Sequence, residues 1–175
     1  EQTEKTMDKL KEIAERIGGA DALLIGAGNG LSITEGLHLF ADNRAFEELF
    51  GDLKRRYGIS CILGGMIARW PSEEEYWGFW SRLIRHYCIG YSPSACMKNL
   101  RAIAGGKDCF VLTTNGECHF EMSGFAPENI YEVEGTWLAM QCSRGCHGAL
   151  YPCEELAGKM AAFEKDGRVP SELLP

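Results

Sequence analysis

Leu23-Leu24-Ile25-Gly26-Ala27-Gly28-Asn29-Gly30-Leu31-Ser32 is an apolar run that breaks into a glycine-rich turn and ends on a hydroxyl residue. A short apolar run of this kind reads as a buried strand, and the closely spaced glycines let the backbone turn sharply and approach a ligand unobstructed. Amide N–H groups exposed in such a turn suit phosphate oxygens. The spacing is not the G-x-G-x-x-G of the dinucleotide fingerprint, because Leu31 or Ile33 stands where either frame needs its third glycine. On its own the segment reads equally as a phosphate turn and as a plain strand-to-helix turn.

The chain around it has 175 residues, enough for one domain with a real core but short for a dinucleotide-binding enzyme with a second lobe. Lys and Arg total 18 against 25 Asp and Glu, a formal charge of -7, which argues against nucleic acid and anionic membrane as partners. The polar start Glu1-Gln2-Thr3-Glu4-Lys5 is unlike a secretory signal, and the expectation is a cytoplasmic protein. Of eight cysteines, Cys61, Cys88, Cys96 and Cys109 lie singly in apolar segments, as small buried hydrophobes do.

Met7, Leu10, Ala14 and Ile17 recur at helical spacing before Gly18-Gly19, so an amphipathic helix precedes the strand at 22–25. A short helix is expected over 44–50, and Gly58, Gly64 and Gly65 are expected to loosen the chain beyond it. Pro71-Ser72-Glu73-Glu74-Glu75 reads as a helix start with Ser72 as cap and Glu75 as its capping-box partner. The helix beyond is apolar on more than one stripe (Trp77, Phe79, Trp80, Leu83, Ile84) and is read as packing, with His86 as a surface or packed histidine. Further elements are expected at 95–103 (helix), 109–114 and 130–133 (strands), 137–142 with 149–151 (a ribbon), and 154–166 (helix). This alternation indicates an α/β fold on a parallel sheet, one domain over 1–175.

Three strand ends then carry polar residues: the turn itself, Thr113-Thr114-Asn115, and Glu134-Gly135. In open α/β sheets ligands sit beyond such ends. Asn115 can face ribose hydroxyls, and Glu134 can accept from a sugar, stabilise a developing cation or act as a general base; each also reads as a cap or turn residue. Cys142-Ser143-Arg144-Gly145-Cys146 is half a zinc site, with His147 and Cys153 nearby, or else a pair of reduced thiols in a hairpin. Cys118 and His119 are adjacent and so point apart, which disfavours a thiolate nucleophile.

Together these residues resemble the sirtuins, the NAD-dependent deacylases and ADP-ribosyltransferases, and are most similar to the macrodomain-linked class M branch. Gly26-Ala27-Gly28-Asn29-Gly30-Leu31-Ser32 with Gly36 resembles that branch's GAGAGLS turn. Pro71-Ser72-Glu73-Glu74-Glu75-Tyr76-Trp77 with Trp80-Ser81-Arg82 is similar to its helical-insert motif, and Thr113-Thr114-Asn115 to its TTN. Gln141-Cys142-Ser143-Arg144-Gly145-Cys146-His147 is similar to its first zinc-binding pair.

The resemblance implies a Rossmann-like sheet with a helical insert at 66–104 and a partial, zinc-ribbon-like module at 137–175. It implies that residues 26–32 hold the NAD pyrophosphate, that Thr114 and Asn115 face the nicotinamide ribose, and that Cys142 and Cys146 bind zinc. Glu134 stands where deacylases have a catalytic histidine and the class M branch a glutamine; a carboxylate can stabilise a cation-like ribose. Asn29 replaces a small alanine, Leu39-Phe40-Ala41 lacks the arginine of the deacylases, and Glu117 replaces an aspartate. The sequence is expected to stop short of the second cysteine pair and the adenosine-holding strands. The implied activity is transfer of ADP-ribose to a protein acceptor; a lipoyl-carrier protein is the implied acceptor, and a macrodomain protein the reversing partner. The alternatives are an NAD-dependent deacylase and a non-catalytic nucleotide-binding module.

Overall fold

The structure, a computed structural model, describes residues 2–175. Helix α1 (Gln2–Gly19) is closed at its carboxyl end by a cation, Lys107 Nζ donating to the carbonyls of Gly18 and Ala20 at 3.0 and 2.7 Å. Strand β1 (Ala22–Ala27) pairs in parallel with β2 (Asp108–Thr113), which pairs in parallel with β3 (Ile130–Glu132). Ala27 lies opposite Thr113, and Thr113 opposite Glu132, so all three strands end at one level. The α/β fold with a parallel sheet is therefore as the alternation of elements implied.

Parallel neighbours require a long crossover. Between β1 and β2 it is helical: α2 (Asn29–Thr34), α3 (Arg44–Tyr57), α4 (Ile62–Met66), α5 (Glu73–Ile84) and α6 (Ala95–Ala104). Helix α5 runs on as a π-helical turn over Arg85–Ile89. A four-residue helix α7 (His119–Met122) comes after β2, and an antiparallel ribbon of β4 (Ala139–Gln141) and β5 (Leu150–Pro152) leads into α8 (Glu154–Phe163). No helix among the described residues is long and apolar enough to cross a membrane.

Several sequence expectations are corrected by packing. Helix α3 extends to Tyr57 because its apolar face continues past Phe50 into the fully buried Leu53, and Gly58 then closes it in a left-handed cap. Gly64 and Gly65 belong to α4 instead of loosening the chain; a Cβ on Gly65 would stand 2.2 Å from the Phe79 ring, so the glycine lets α4 lie on α5. Helix α8 stops at Phe163, since the chain turns at Asp166 and Gly167 and pairs Lys165 with Arg168. Cys96 is exposed and Cys61 caps α4, its sulfur accepting from Gly64 N, so only Cys88 of the four single cysteines is a fully buried hydrophobe.

One core joins α3, α4 and α5 through Phe46, Phe50, Leu53, Ile62, Phe79 and Leu83, with the Phe50 and Phe79 rings 4.8 Å apart. Half of the expected capping box of α5 is present: Ser72 Oγ accepts from Glu75 N, but the Glu75 carboxylate takes the Ser72 hydroxyl at 3.1 Å and Tyr57 OH at 2.5 Å rather than the Ser72 amide. A second core lies under one face of the sheet, where Leu23, Ile25 and Val111 meet Met97 and Phe120. The other face is open, and Leu24, Phe110, Leu112 and Tyr131 are exposed on it. Met7, Leu10 and Ala14 of α1 are exposed as well, so of the apolar stripe read from that helix Ile17 alone is half-buried.

Arg82 ties the helical layer together. Its guanidinium donates to Asp52 of α3 at 2.7 and 2.8 Å and to Glu164, beyond α8, at 2.8 and 2.7 Å. Burial works against its charge, and the hydrogen bonds it donates to the two carboxylates outweigh that, raising its pKa. A bidentate, mostly buried pair is worth more than a surface one, but Asp52 remains partly in water. Arg82→Met is expected to lower unfolding free energy by about 2–3 kcal/mol. Urea denaturation measures it, and a loss below about 0.5 kcal/mol, the scale of an unimportant surface change, contradicts the role.

Candidate functional site

The three strand ends converge as the sequence implied. Gly28 follows β1 in extended backbone, and its carbonyl accepts two donors, Leu31 N at 2.9 Å and Asn115 Nδ2 at 3.1 Å. Asn115 N in turn donates to Thr113 Oγ1 at 3.0 Å. Asn115 is thereby buried and clamps the glycine-rich turn to the end of β2. Thr114 is exposed beside it, its amide on the Ala27 carbonyl and its hydroxyl 3.4 Å from where a Gly28 Cβ would stand. Nothing lies within 4 Å of a Cβ built on Gly26 or Gly30, and Ala27 is half-buried against the core under the sheet. Both amide atoms of the Asn29 side chain are shielded from solvent without a protein partner. An unpaired buried amide is costly, so this turn presents polar capacity fitted to a bound polar group.

Below the turn lies a buried polar chain that the sequence reading missed. Ser32 Oγ donates to Glu117 Oε1 at 2.8 Å, and the same oxygen stands 3.6 Å from His119 Nδ1. His119 Nε2 is 2.7 Å from the Tyr87 carbonyl, and its ring stacks on Tyr91 at 3.8 Å. All three side chains are at least 96% buried. Burial pushes the His119 pKa down, opposed by the Tyr87 carbonyl, Glu117 and Glu35. Tyr91 OH donates to Glu35, which also accepts from the amide and hydroxyl of Ser94. The one legible signal was Glu117 two residues past Asn115; its partners are distant in sequence.

Cys118 takes a left-handed backbone at φ 64, and burial pushes its thiol up to about 12, which excludes a ready thiolate there. Its sulfur lies 2.8 Å from Thr136 Oγ1, joining this loop to the third strand end. Gly116 makes the same junction: Trp137 N donates to its carbonyl at 2.8 Å, and a Cβ there would meet the Gly135 carbonyl at 2.9 Å. Gly135 itself sits at φ 79, a conformation that glycine adopts without strain. Glu134 stands exposed in this turn. Glu132, two residues earlier at the end of β3 and half-buried, has its carboxyl pKa raised by burial, and the sequence reading passed over it.

The cysteine pair sits on the ribbon. The sulfurs of Cys142 and Cys146 are 3.1 Å apart, and His147 joins them in a cluster whose ligand atoms all lie within 4.8 Å of one another. The amide and thiol of Cys146 and neighbouring amides hold the Cys142 thiol down at about 7. Cys153 is buried instead, its thiol on the Trp137 carbonyl at 3.1 Å, and does not join the cluster. A cavity of about 1150 Å³ lies between the ribbon and α5, walled by Trp77, Trp80, Trp137, Cys142 and Tyr151. It touches the strand-end loops through Thr136 and Trp137.

No family model matches the chain. It is 28% identical over 173 residues to a protein ADP-ribosyltransferase of Staphylococcus aureus (strain Mu50), covering 97% of this chain and 54% of that protein. It is 29% identical over 136 residues to a probable bifunctional ADP-ribose hydrolase/ADP-ribosyltransferase of Fusarium oxysporum f. sp. cubense, covering 75% of this chain and 22% of that one. The chain thus spans about half the length of the first relative and a fifth of the second. Among solved structures, a mutant Sir2 homologue in complex with 2′-O-acetyl ADP ribose superposes with a TM-score of 0.56 at 17% identity, over 82% of this chain and 53% of that one. That likeness is one of fold, and it places the parallel sheet and its helices in the Sir2 architecture. The motif resemblance to the sirtuins is borne out by relatives and fold together.

The contact between Gly116 and the Gly135 turn sets how closely the second and third strand ends approach. Gly116→Ala is expected to cost about 1–3 kcal/mol, as overpacking does. Gly26→Ala, which meets open space, is expected to stay within about 0.5 kcal/mol of the wild type. Thermal melts compare the two, and equal melting temperatures contradict the assignment.

Proposed function

We propose that this sirtuin-like chain belongs to a protein ADP-ribosyltransferase and carries its NAD-binding strand ends. The observation that carries the reading is the Asn115 clamp on Gly28, which joins the glycine-rich turn to the second strand end. The match to the S. aureus relative across nearly the whole chain supports it. In this reading Gly26, Ala27, Gly28, Asn29, Gly30 and Ser32 form the diphosphate turn, with the unpartnered Asn29 amide as a contact. Thr114 and Asn115 face the ribose. When bound, NAD supplies the ADP-ribosyl group by loss of nicotinamide.

The residues' own share is positional and electrostatic. Glycine at 28 and 30 leaves the turn's backbone amides free to approach phosphate oxygens. Asn115 fixes the height of that turn. Glu134, solvent-facing at the third strand end, supplies a negative charge beside the place where positive charge develops on a ribose. A protein acceptor completes the reaction, and the fungal relative's paired name, hydrolase with transferase, favours a reversing partner of the macrodomain kind. Segments 66–104 and 137–175 are read as the helical insert and a zinc-binding module.

The test is calorimetric NAD binding and nicotinamide release in the presence of candidate acceptor proteins. Asn115→Ala and Glu134→Gln are each expected to slow release by about 100-fold or more. Wild-type rates in both variants, or no NAD binding, overturn the reading. Asn29→Ala is expected to weaken NAD binding; tighter binding marks the side chain as an obstruction.

Zinc is the second element of the reading. Cys142, Cys146 and His147 offer three of the four ligands that a structural zinc takes, and thiolate with imidazole suits that ion. Zinc added to metal-free protein is expected to bind, and Cys142→Ser or Cys146→Ser to abolish it, while Cys153→Ala retains it. Loss of binding in the Cys153 variant alone contradicts this ligand set.

A further inference from the structure

We propose that Glu117 and His119 form a proton-holding positioning pair beneath the glycine-rich turn, and that a proton taken up at His119 Nδ1 strengthens the turn's hold on a diphosphate. The inference rests on the reading of residues 26–32 as a diphosphate turn, and it goes further by giving that turn a charge regulator.

The geometry fixes the ring's tautomer. A carbonyl oxygen only accepts, so His119 Nε2, 2.7 Å from the Tyr87 carbonyl, must be the protonated nitrogen. In the neutral ring Nδ1 is then an acceptor. It is buried, has no hydrogen-bond partner, and faces Glu117 Oε1 at 3.6 Å. Two acceptors confront each other there, and neither can satisfy the other. A proton from solvent placed on Nδ1 converts the contact into a charge-assisted hydrogen bond from imidazolium to carboxylate. The other groups facing the ring are Tyr91, stacked on it, and Glu35, whose burial is outweighed by hydrogen bonds from Ser94 and Tyr91 that lower its pKa.

The consequence reaches the turn through Ser32. Its hydroxyl donates to the same Glu117 oxygen at 2.8 Å, and Ser32 is the last residue of the glycine-rich segment. In this proposal Glu117 takes the Ser32 hydroxyl as a carboxylate, so with His119 neutral the pair carries one buried negative charge under a segment read as binding an anion. With His119 protonated the pair is neutral. Buried charges are weakly screened, so the difference is felt at the turn. Anion binding and protonation therefore favour each other by linkage, and affinity rises as pH falls through the ring's titration. Because burial depresses the ring's pKa, the free protein takes up this proton below the ordinary histidine range, and a bound diphosphate moves uptake toward neutral pH.

The test tracks the ring nitrogens of His119 by NMR in the 15N-histidine-labelled protein from about pH 5 to about pH 8, free, with NAD, and with inorganic pyrophosphate. His119→Gln identifies the signal and is expected to flatten the pH dependence of NAD affinity. The expected result is an Nε2–H tautomer in the free protein at the alkaline end, and a titration shifted upward by about one pH unit with NAD, matching a roughly tenfold gain in affinity at the acidic end. NAD binding with unchanged affinity and an unmoved ring overturns the pair while the NAD reading stands. An upward shift with pyrophosphate but no NAD binding leaves the pair standing and removes the NAD reading. A ring that neither ligand moves, or an Nδ1–H tautomer in the free protein, overturns the pair. The wild-type titration decides the matter even where the His119→Gln chain fails to fold, since the remaining histidine signals are assigned by substituting His38, His86 and His147.

Discussion

The register of three parallel strands is the constraint on which the rest depends. Because Ala27, Thr113 and Glu132 lie side by side, the loops that leave the strands must share one small volume. They are stitched there by backbone carbonyls: Gly28 takes the Asn115 amide, and Gly116 takes the Trp137 N–H. These bonds use main-chain acceptors at the strand ends, so the loops satisfy each other in place of water. A slip of one residue in either pairing would turn every side chain of the slipped strand to the other face and dissolve the junction.

Two layers meet at this junction with different chemistry. The helical layer is held by aromatic packing around Phe79 and by the Arg82 ion cluster. The strand-end loops touch it through apolar contacts such as Trp137 on Trp80 and through polar ones, with His119 reaching the Tyr87 carbonyl, while Glu35 gathers Tyr91 and Ser94 within the crossover. The glycine-rich turn is fixed from both sides as a result, by Asn115 from the sheet and by the Ser32 to Glu117 bond below. Polar contacts of this kind respond to charge, whereas aromatic packing does not. That is why electrostatic control falls at the layer boundary.

Much of the fold was legible because its signals are local. The break from Leu23-Leu24-Ile25 into glycine marks β1, Ser72 with Glu75 marks the start of α5, and the apolar run at 109–114 marks β2. The length of α3 was not, because Leu53 is held in the helix by a core that Phe79 and Leu83 of another element supply. Gly65 misled for the same reason, since its missing side chain is what lets Phe79 approach. At the site, Asn115 was legible from its place after a strand. The Ser32, Glu117 and His119 chain was not, because 85 residues separate its first two members and only the crossover brings them together. Cys153 was read beside the other cysteines by sequence proximity, and the ribbon's turn carries it into the core instead.

The central claim is that the glycine-rich turn and the end of β2 form one ligand site. Backbone amide chemical shifts recorded while NAD is added test it most directly. The account predicts that the largest changes fall on residues 28–32 and 114–117. Changes confined to the aromatic cavity around Trp77 and Trp137, with the turn unmoved, would contradict it.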